Sequence, residues 1–383
     1  NRSWAAFVQN AAGSFDAYTA AEVGLPEGWP VRDSALGDVN GDGRVDLVAI
    51  GPGRTEVYLS DGDGGFERQA NSGLRTAADP TSLSLGDVNR DGILDVLVLS
   101  GVDSFLYTGG ADGRFGRENL EDLGLTGIDG YARATLIDVN ADGDLDVVAV
   151  GEQGSALYLR NNQAGLFEIS DDFDAAAASA ILPMDANRDG QLDLITPAMG
   201  NPNVRLGDGS GGFGSADRGL GWTFNEQGLA RTDFDEDTWD DVLTYGFNGL
   251  ALYRGGVDGF TAFDAAEIGI ENPGYLTAVS VVDMDADGDA DIVVGGENGL
   301  RIIRSNRGNL AEAGTGSLRV RARRNMAGAM EGAHRPADGV GTLLYVQYLQ
   351  ALPEEPNNNP ITAERVIPLH PALPTVISVG DAV

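Results

Sequence analysis

The 383 residues contain no cysteine, no lysine and only two histidines. Without cysteine there is no disulfide framework and no thiolate to hold zinc. Two histidines, His334 and His370, leave little imidazole for a metal or for general acid–base work. No apolar run approaches the roughly 18 residues of a membrane-crossing helix, so membrane insertion is excluded. No Gly-x-Ser-x-Gly elbow marks an activated serine. Positive charge is scarce as well, with 25 basic residues, all arginine, against 59 acidic ones and a formal charge of -34. An acidic excess of that size repels nucleic acid and anionic membrane surfaces, and neither is expected as a partner.

What the chain has instead is an acidic loop, Asp-x-[Asp/Asn]-x-Asp-[Gly/Thr]-x-x-Asp, written six times. Its first residues are Asp38, Asp87, Asp138, Asp185, Asp233 and Asp283, spaced 49, 51, 47, 48 and 50 apart. A period near 50 carrying a constant internal loop marks a repeat architecture. Oxygen side chains at positions 1, 3, 5 and 9, with a backbone carbonyl at position 7, can surround a hard cation that takes six to eight oxygens at about 2.3–2.6 Å. Calcium suits such a set better than magnesium, zinc or softer metals.

The expected ligands follow by position. They are Asp38, Asn40, Asp42, Arg44 and Asp46 in the first loop, and Asp87, Asn89, Asp91, Ile93 and Asp95 in the second. The third offers Asp138, Asn140, Asp142, Asp144 and Asp146, and the fourth Asp185, Asn187, Asp189, Gln191 and Asp193. The fifth offers Asp233, Asp235, Asp237, Trp239 and Asp241, and the sixth Asp283, Asp285, Asp287, Asp289 and Asp291. In each set the fourth-named residue contributes its main-chain carbonyl. Up to six Ca2+ ions are expected, and six would neutralise only about a third of the acidic excess.

Glycine at position 6 provides the positive φ that turns the loop, and an apolar residue at position 8 (Val45, Leu94, Leu145, Leu192, Ala290) is expected to face the core. The fifth loop departs at both places, with Thr238 and Asp240, which makes it the weakest of the six by this criterion. A helical calcium hand is excluded because position 12 holds Ala49, Val98, Ala149, Thr196, Thr244 or Val294 rather than glutamate, and no helical pattern follows.

Short β-branched runs follow each loop, from Leu47 to Ile50 and Val96 to Leu99 through to Ile292 to Val294. Partner stretches such as Ser82 to Leu85 precede it, so each loop joins the first two strands of a unit. A further strand, a Gly/Asp/Asn turn and an aromatic complete the unit, with Phe66, Phe115, Phe167, Phe213 and Phe260 expected between sheets. Four short strands per 50 residues predict a propeller blade.

Trp4 to Val8 and Phe15 match the second half of a unit, and a ligand-poor loop at 334–342 stands where a seventh first half is due. The expectation is therefore an all-β, seven-bladed β-propeller with calcium loops between strands 1 and 2 of six blades. Its ring is closed by N- and C-terminal strands, which removes exposed edges. Residues 1–316 form the repeats. Residues 317–383 form a C-terminal β module whose first two strands, Ser317 to Arg323 and Thr342 to Leu349, complete the closing blade.

The loop, its apolar strand and the Gly-Phe turn resemble the FG-GAP or VCBS repeats of integrin α-subunit head propellers and many secreted bacterial proteins. Arg319-Val320-Arg321 and Asp338-Gly339-Val340-Gly341 resemble the C-terminal module of the acidic cartilage protein (ASPIC/UnbV-type) family, although Pro336-Ala337 replaces the Asn-Arg expected there. The resemblance implies a calcium-dependent, extracellular, non-catalytic module for binding or scaffolding. The partner would be another protein or an extracellular glycan, or the chain would be a subunit of a larger assembly.

The chain opens on Asn1 rather than Met, and an exported protein, secreted or periplasmic, is expected. Two alternatives stay open. One is a polysaccharide-acting enzyme using His334, His370, Arg319, Arg321, Arg323 and Arg324. The other is a lectin, against which Trp4, Trp29, Trp222 and Trp239 do not occupy equivalent repeat positions.

Overall fold

In the computed structural model the described residues are 2–9, 15–62, 64–151, 154–161, 166–170, 178, 180–197, 204–221, 226–246, 249–268, 270, 274–282, 291–296, 299–306, 309–312, 343–349 and 362–363. Their regular elements are all β-strands apart from one 3-10 turn at Ala21–Val23.

Each repeat becomes a four-stranded antiparallel sheet with its strands in chain order. Strands β1 (Arg2–Gln9) and β2 (Phe15–Thr19) precede the first complete blade: β3 (Asp33–Gly37), β4 (Asp46–Gly51), β5 (Arg54–Ser60) and β6 (Phe66–Arg68). The second is β7 (Pro80–Gly86), β8 (Asp95–Ser100), β9 (Phe105–Gly109) and β10 (Phe115–Arg117). The third is β11 (Arg133–Ile137), β12 (Asp146–Gly151), β13 (Gly154–Asn161) and β14 (Leu166–Ser170). The fourth is β15 (Leu182–Met184), β16 (Asp193–Ile195), β17 (Val204–Gly207) and β18 (Phe213–Ala216). The fifth is β19 (Glu226–Thr232), β20 (Asp241–Gly246), β21 (Gly249–Arg254) and β22 (Thr261–Asp264).

Five blades, not seven, are thus described with both sheet and acidic loop. A further sheet holds β23 (Leu276–Val282), β24 (Asp291–Gly296), β25 (Gly299–Asn306) and β26 (Asn309–Glu312), but its loop, 283–290, lies outside the described residues. In another sheet β1 and β2 join β27 (Leu343–Leu349) and β28 (Thr362–Ala363), with Arg2 opposite Leu349 and Val8 opposite Leu343. That sheet has no described acidic loop, because the register places the decayed copy at 334–342, outside the described residues. The expected strand at 317–323 lies there too, as do both histidines and the tail arginines.

Burial explains the strand sequences. The second strands β4, β8, β12 and β20 are buried at every position, which is why they read as unbroken apolar runs. The outermost strands β6 and β10 bury one residue each, Phe66 or Phe115, and expose the rest. Cores lie between blades rather than within them. Val48, Ile50 and Val57 of the first blade pack with Val96, Val98, Phe105 and Tyr107 of the second. Leu97, Leu99 and Leu106 of the second in turn pack with Val147, Ala149 and Tyr158 of the third. Fully burying one such side chain contributes about 1.5–3 kcal/mol, so each blade is stabilised mainly by its neighbour.

The first strands line up against one another, β3 with β7, β7 with β11, β15 with β19 and β19 with β23. Side chains satisfy their free edges. Leu83 N donates to Asp33 Oδ2 at 2.9 Å, Ala134 N to Ser82 Oγ at 3.2 Å and Leu136 N to Ser84 Oγ at 3.0 Å. Edge groups left bare at that position would be buried without partners.

Candidate functional site

The five described loops share one frame, and its keystone is the aspartate at position 9. Asp46, Asp95, Asp146, Asp193 and Asp241 are fully buried. One carboxylate oxygen accepts the amide of loop position 2: Val39 at 3.1 Å, Val88 at 2.8 Å, Val139 at 3.0 Å, Ala186 at 2.8 Å and Phe234 at 2.8 Å. In four loops the other oxygen accepts an amide 14 residues on, at the end of the third strand or just past it. These donors are Ser60, Gly109, Gly207 and Gly255, each at 2.8 Å. The residue expected as a ligand is therefore also the clamp that ties the loop to its sheet.

Burial makes that clamp costly as an anion. It pushes the Asp46 carboxyl up to about 6 and the Asp241 carboxyl up to about 7, and the neighbouring loop carboxylates add to the shift. Asp95 and Asp193 move in the same direction for the same reason.

The loop backbone turns twice through the left-handed region. Position 6 does so as expected, with φ 82 at Gly43, and the same conformation is held by Thr238 with φ 75. A Cβ on Gly43 would meet nothing within 4 Å, so glycine is preferred there for its backbone and not for space. Position 4 is also left-handed, at Gly41, Arg90, Ala141, Arg188 and Glu236. The sequence pattern gives no hint of that turn, since only the first loop has glycine there.

Position 8 behaves as expected where it is apolar, with Val45, Leu94, Leu145 and Leu192 packed against the cores. In the fifth loop Asp240 instead pairs with Arg231 at 3.1 Å.

The side chains at positions 1, 3 and 5 separate the loops. In the first, Asp38 Oδ1 accepts the amides of Gly41 at 2.7 Å and Asp42 at 3.1 Å, and Oδ2 accepts that of Gly43 at 2.7 Å. Asn40 Oδ1 accepts the amide of Asp42 at 3.0 Å, and Asp42 Oδ1 that of Arg44 at 2.9 Å. Asp87, Asp138 and Asp185 accept amides from positions 5 and 6 in the same way. Asn89, Asn140 and Asn187 accept from position 5, and Asp91, Asp142 and Asp189 from position 7.

The fifth loop keeps only part of this pattern. Thr238 N donates to Asp233 Oδ2 at 3.0 Å and Trp239 N to Asp237 Oδ1 at 2.8 Å. Asp233 Oδ1 and Asp235 Oδ1 are buried and accept no hydrogen bond. Carboxylate oxygens of Asp233, Asp235 and Asp237 lie within 4.8 Å of one another, the one such carboxylate trio among the described residues. The first four loops have asparagine at position 3 and so bring together two carboxylates and an amide. Arg254 approaches the trio from outside, 3.5 Å from Asp235 Oδ2. Orphaned, converging anionic oxygens fit a hard divalent cation, whose charge and coordination would satisfy both atoms. Of the sixth set only Asp291, fully buried at the start of β24, is described; Asp283, Asp285, Asp287 and Asp289 lie outside the described residues.

Two further repeated devices escaped the sequence pattern. Tyrosines of the third strand tie back 32 residues: Arg75 N donates to Tyr107 Oη at 3.0 Å, Tyr158 Oη donates to Thr126 O at 2.8 Å, and Tyr253 Oη to Gly221 O at 2.7 Å. A Gly-Leu pair, at Gly24, Gly73, Gly124 and Gly219, packs on the blade's aromatic residue. At Gly73 (φ 87) a Cβ would sit 2.1 Å from Phe115 O. Its recurrence at the loop period was a readable signal. The aromatics themselves are core as expected, Phe66, Phe115, Phe167 and Phe260 being buried and Phe213 partly so.

Comparison with known proteins agrees with this geometry. The chain carries FG-GAP-like repeats at residues 38–98, 138–196 and 233–294, together just under half of its length. No curated protein matches it in sequence. Among solved structures it is similar to a lectin of Agrocybe aegerita described as recognising non-reducing terminal N-acetylglucosamine. That match has 20% identity and a TM-score of 0.60, covering 81% of this chain and 88% of the lectin. A protein from Lactobacillus plantarum aligns with 13% identity and a TM-score of 0.52, over 82% of this chain and 95% of that one. The periplasmic gluconolactonase PpgL of Pseudomonas aeruginosa aligns with 15% identity and a TM-score of 0.46, over 80% of this chain and 94% of that one. The chain is a β-propeller with FG-GAP-like repeats.

Proposed function

We propose that this chain is a calcium-stabilised β-propeller exported from the cytoplasm, which binds a macromolecule or scaffolds an assembly and catalyses no reaction. The observation that carries the calcium reading is the fifth loop, where two buried carboxylate oxygens lack partners and a third carboxylate converges on them. Asp233, Asp235 and Asp237 would hold the ion with the Trp239 carbonyl, and their equivalents would do so in the other loops. Bound calcium supplies charge neutralisation and cross-linking of the loop. The chain's own residues supply the frame, through the position 9 clamp and the two left-handed turns.

The same proposal takes the ring as seven-bladed and closed by terminal strands, supported by the antiparallel pairing of residues 2–8 with 343–349. Sites of this oxygen-only kind reach millimolar dissociation constants, which suits calcium levels outside cells. No helix among the described residues is long and apolar enough to cross a membrane. For the partner, a glycan is the first class to test, because the lectin above shares the fold.

The test joins stability to binding. If free calcium stands about 100-fold above the dissociation constant, each site adds about 2.7 kcal/mol. Melting of the full chain is expected to fall steeply in EGTA, and a glycan array is expected to show retention in calcium that EGTA abolishes. A melt unchanged by chelation removes the calcium reading. Turnover of any arrayed glycan removes the non-catalytic one.

A further inference from the structure

Two of the five described loops carry arginine at position 4, and both arginines reach into the next loop. Arg90 of the second loop donates through Nε to Gly143 O and through a terminal nitrogen to Asp142 O, each at 3.0 Å, and its Nε lies 2.8 Å from Asp144 Oδ1. Arg188 of the fourth loop stacks over the ring of Trp239 in the fifth, with its guanidinium carbon 5.1 Å from the ring centroid. Asp144 and Trp239 hold the same place, position 7, whose carbonyl is assigned to the ion. The first, third and fifth loops have Gly41, Ala141 and Glu236 at position 4 and so carry no such arm.

We propose that Arg90 and Arg188 are positioning residues that couple calcium binding in the second loop to the third, and in the fourth to the fifth, so that ions enter these loops in pairs. The inference rests on the calcium reading above. Each arm springs from a left-handed residue, with φ 62 at Arg90 and 60 at Arg188. Closing the parent loop fixes that turn, and with it the direction of the side chain. A planar guanidinium holding two carbonyls and a carboxylate leaves the receiving segment little freedom.

The receiving group needs the arm as well. The Asp144 side chain is 6% exposed, its Oδ2 has no hydrogen-bond partner, and Arg90 balances its charge. Coupling of this kind is reciprocal, so the later loop must also favour its predecessor. The arms span the gaps between the matched repeat segments, 38–98, 138–196 and 233–294, each of which holds two loops. They therefore link loops that the paired repeat does not itself connect.

The fourth and fifth loops give the cleaner test, because Trp239 can sensitise emission from terbium bound beside it. Full chain is freed of metal and titrated with Tb3+, with emission read through indole excitation and Trp239→Phe as the blank. The fourth loop is disabled by Asp185→Asn with Asp189→Asn, in the natural chain and again with Arg188→Ala. Disabling it is expected to move the fifth-loop midpoint about fivefold or more when Arg188 is present. With Arg188→Ala the shift should be under about twofold. Arg188→Lys keeps the charge but loses the stacked plane, and should behave like the alanine variant.

Equal shifts in both backgrounds overturn the coupling while leaving calcium binding intact. Absence of any Trp239-sensitised emission, with no calcium uptake by calorimetry, overturns both readings together. The exposed Arg114→Ala serves as control, and calcium calorimetry on Arg90→Ala, expected to show a shallower titration, repeats the test at the other pair.

Discussion

The first and fifth loops are the same frame in two conditions. In both, the position 9 aspartate clamps position 2 and an amide 14 residues on, with Val39 and Ser60 in one and Phe234 and Gly255 in the other. They differ in what faces the centre. Asp38 Oδ1 is taken up by the amides of Gly41 and Asp42, whereas Asp233 Oδ1 and Asp235 Oδ1 are buried with no partner. The difference separates two jobs that the motif merges. Position 9 builds the loop through its amide clamps, and under the proposed calcium reading positions 1, 3 and 5 set how strongly an ion is wanted.

The largest expected effect is on the shared part. Asp46→Ala and Asp241→Ala each strand one buried and one part-buried amide, at a cost of about 1–3 kcal/mol per group. Urea unfolding should therefore show losses of about 3 kcal/mol or more, similar at the two loops. A large loss at one loop and none at the other would break the claim of a common frame.

The next effect is on pH, in metal-free protein. Because burial raises these carboxyls in the fold, the folded protein binds more protons than the unfolded chain between about 4 and the raised values. Stability should then fall as pH rises through that window, up to about 6 for Asp46 and about 7 for Asp241. Carboxyl carbon NMR should place Asp241 above Asp46, and calcium should flatten the slope. A reversed order of the two titrations contradicts the stronger upward push on Asp241.

The smallest effect is at position 6. Thr238→Gly relieves a left-handed threonine and should stabilise by about 1 kcal/mol, while Gly43→Ala should destabilise by a similar amount. Thermal melts of the pair decide this. Equal signs for both changes would mean that space rather than backbone conformation governs the turn.

The architecture was legible because each blade writes its period, its apolar second strand and its loop within some 50 consecutive residues. In the fifth loop the sequence pattern and the geometry differ for a physical reason. Thr238 and Asp240 break the pattern, yet the first holds the glycine conformation at φ 75 and the second replaces an apolar contact by a pair with Arg231. The clamp role of Asp46 and its equivalents was hidden because a carboxylate that binds amides and one that binds calcium have the same letter. Arg90 and Tyr107 were unreadable because their partners lie 53 and 32 residues away. Only the Gly-Leu pair could have been found from its period alone.

The most direct test is diffraction from crystals grown with millimolar calcium, with attention to the fifth loop. The account predicts an anomalous peak there, with Asp233, Asp235 and Asp237 oxygens at about 2.3–2.6 Å and both presently unpartnered oxygens engaged. Water alone at that position, with Asp233 and Asp235 turned to protein partners instead, would contradict it.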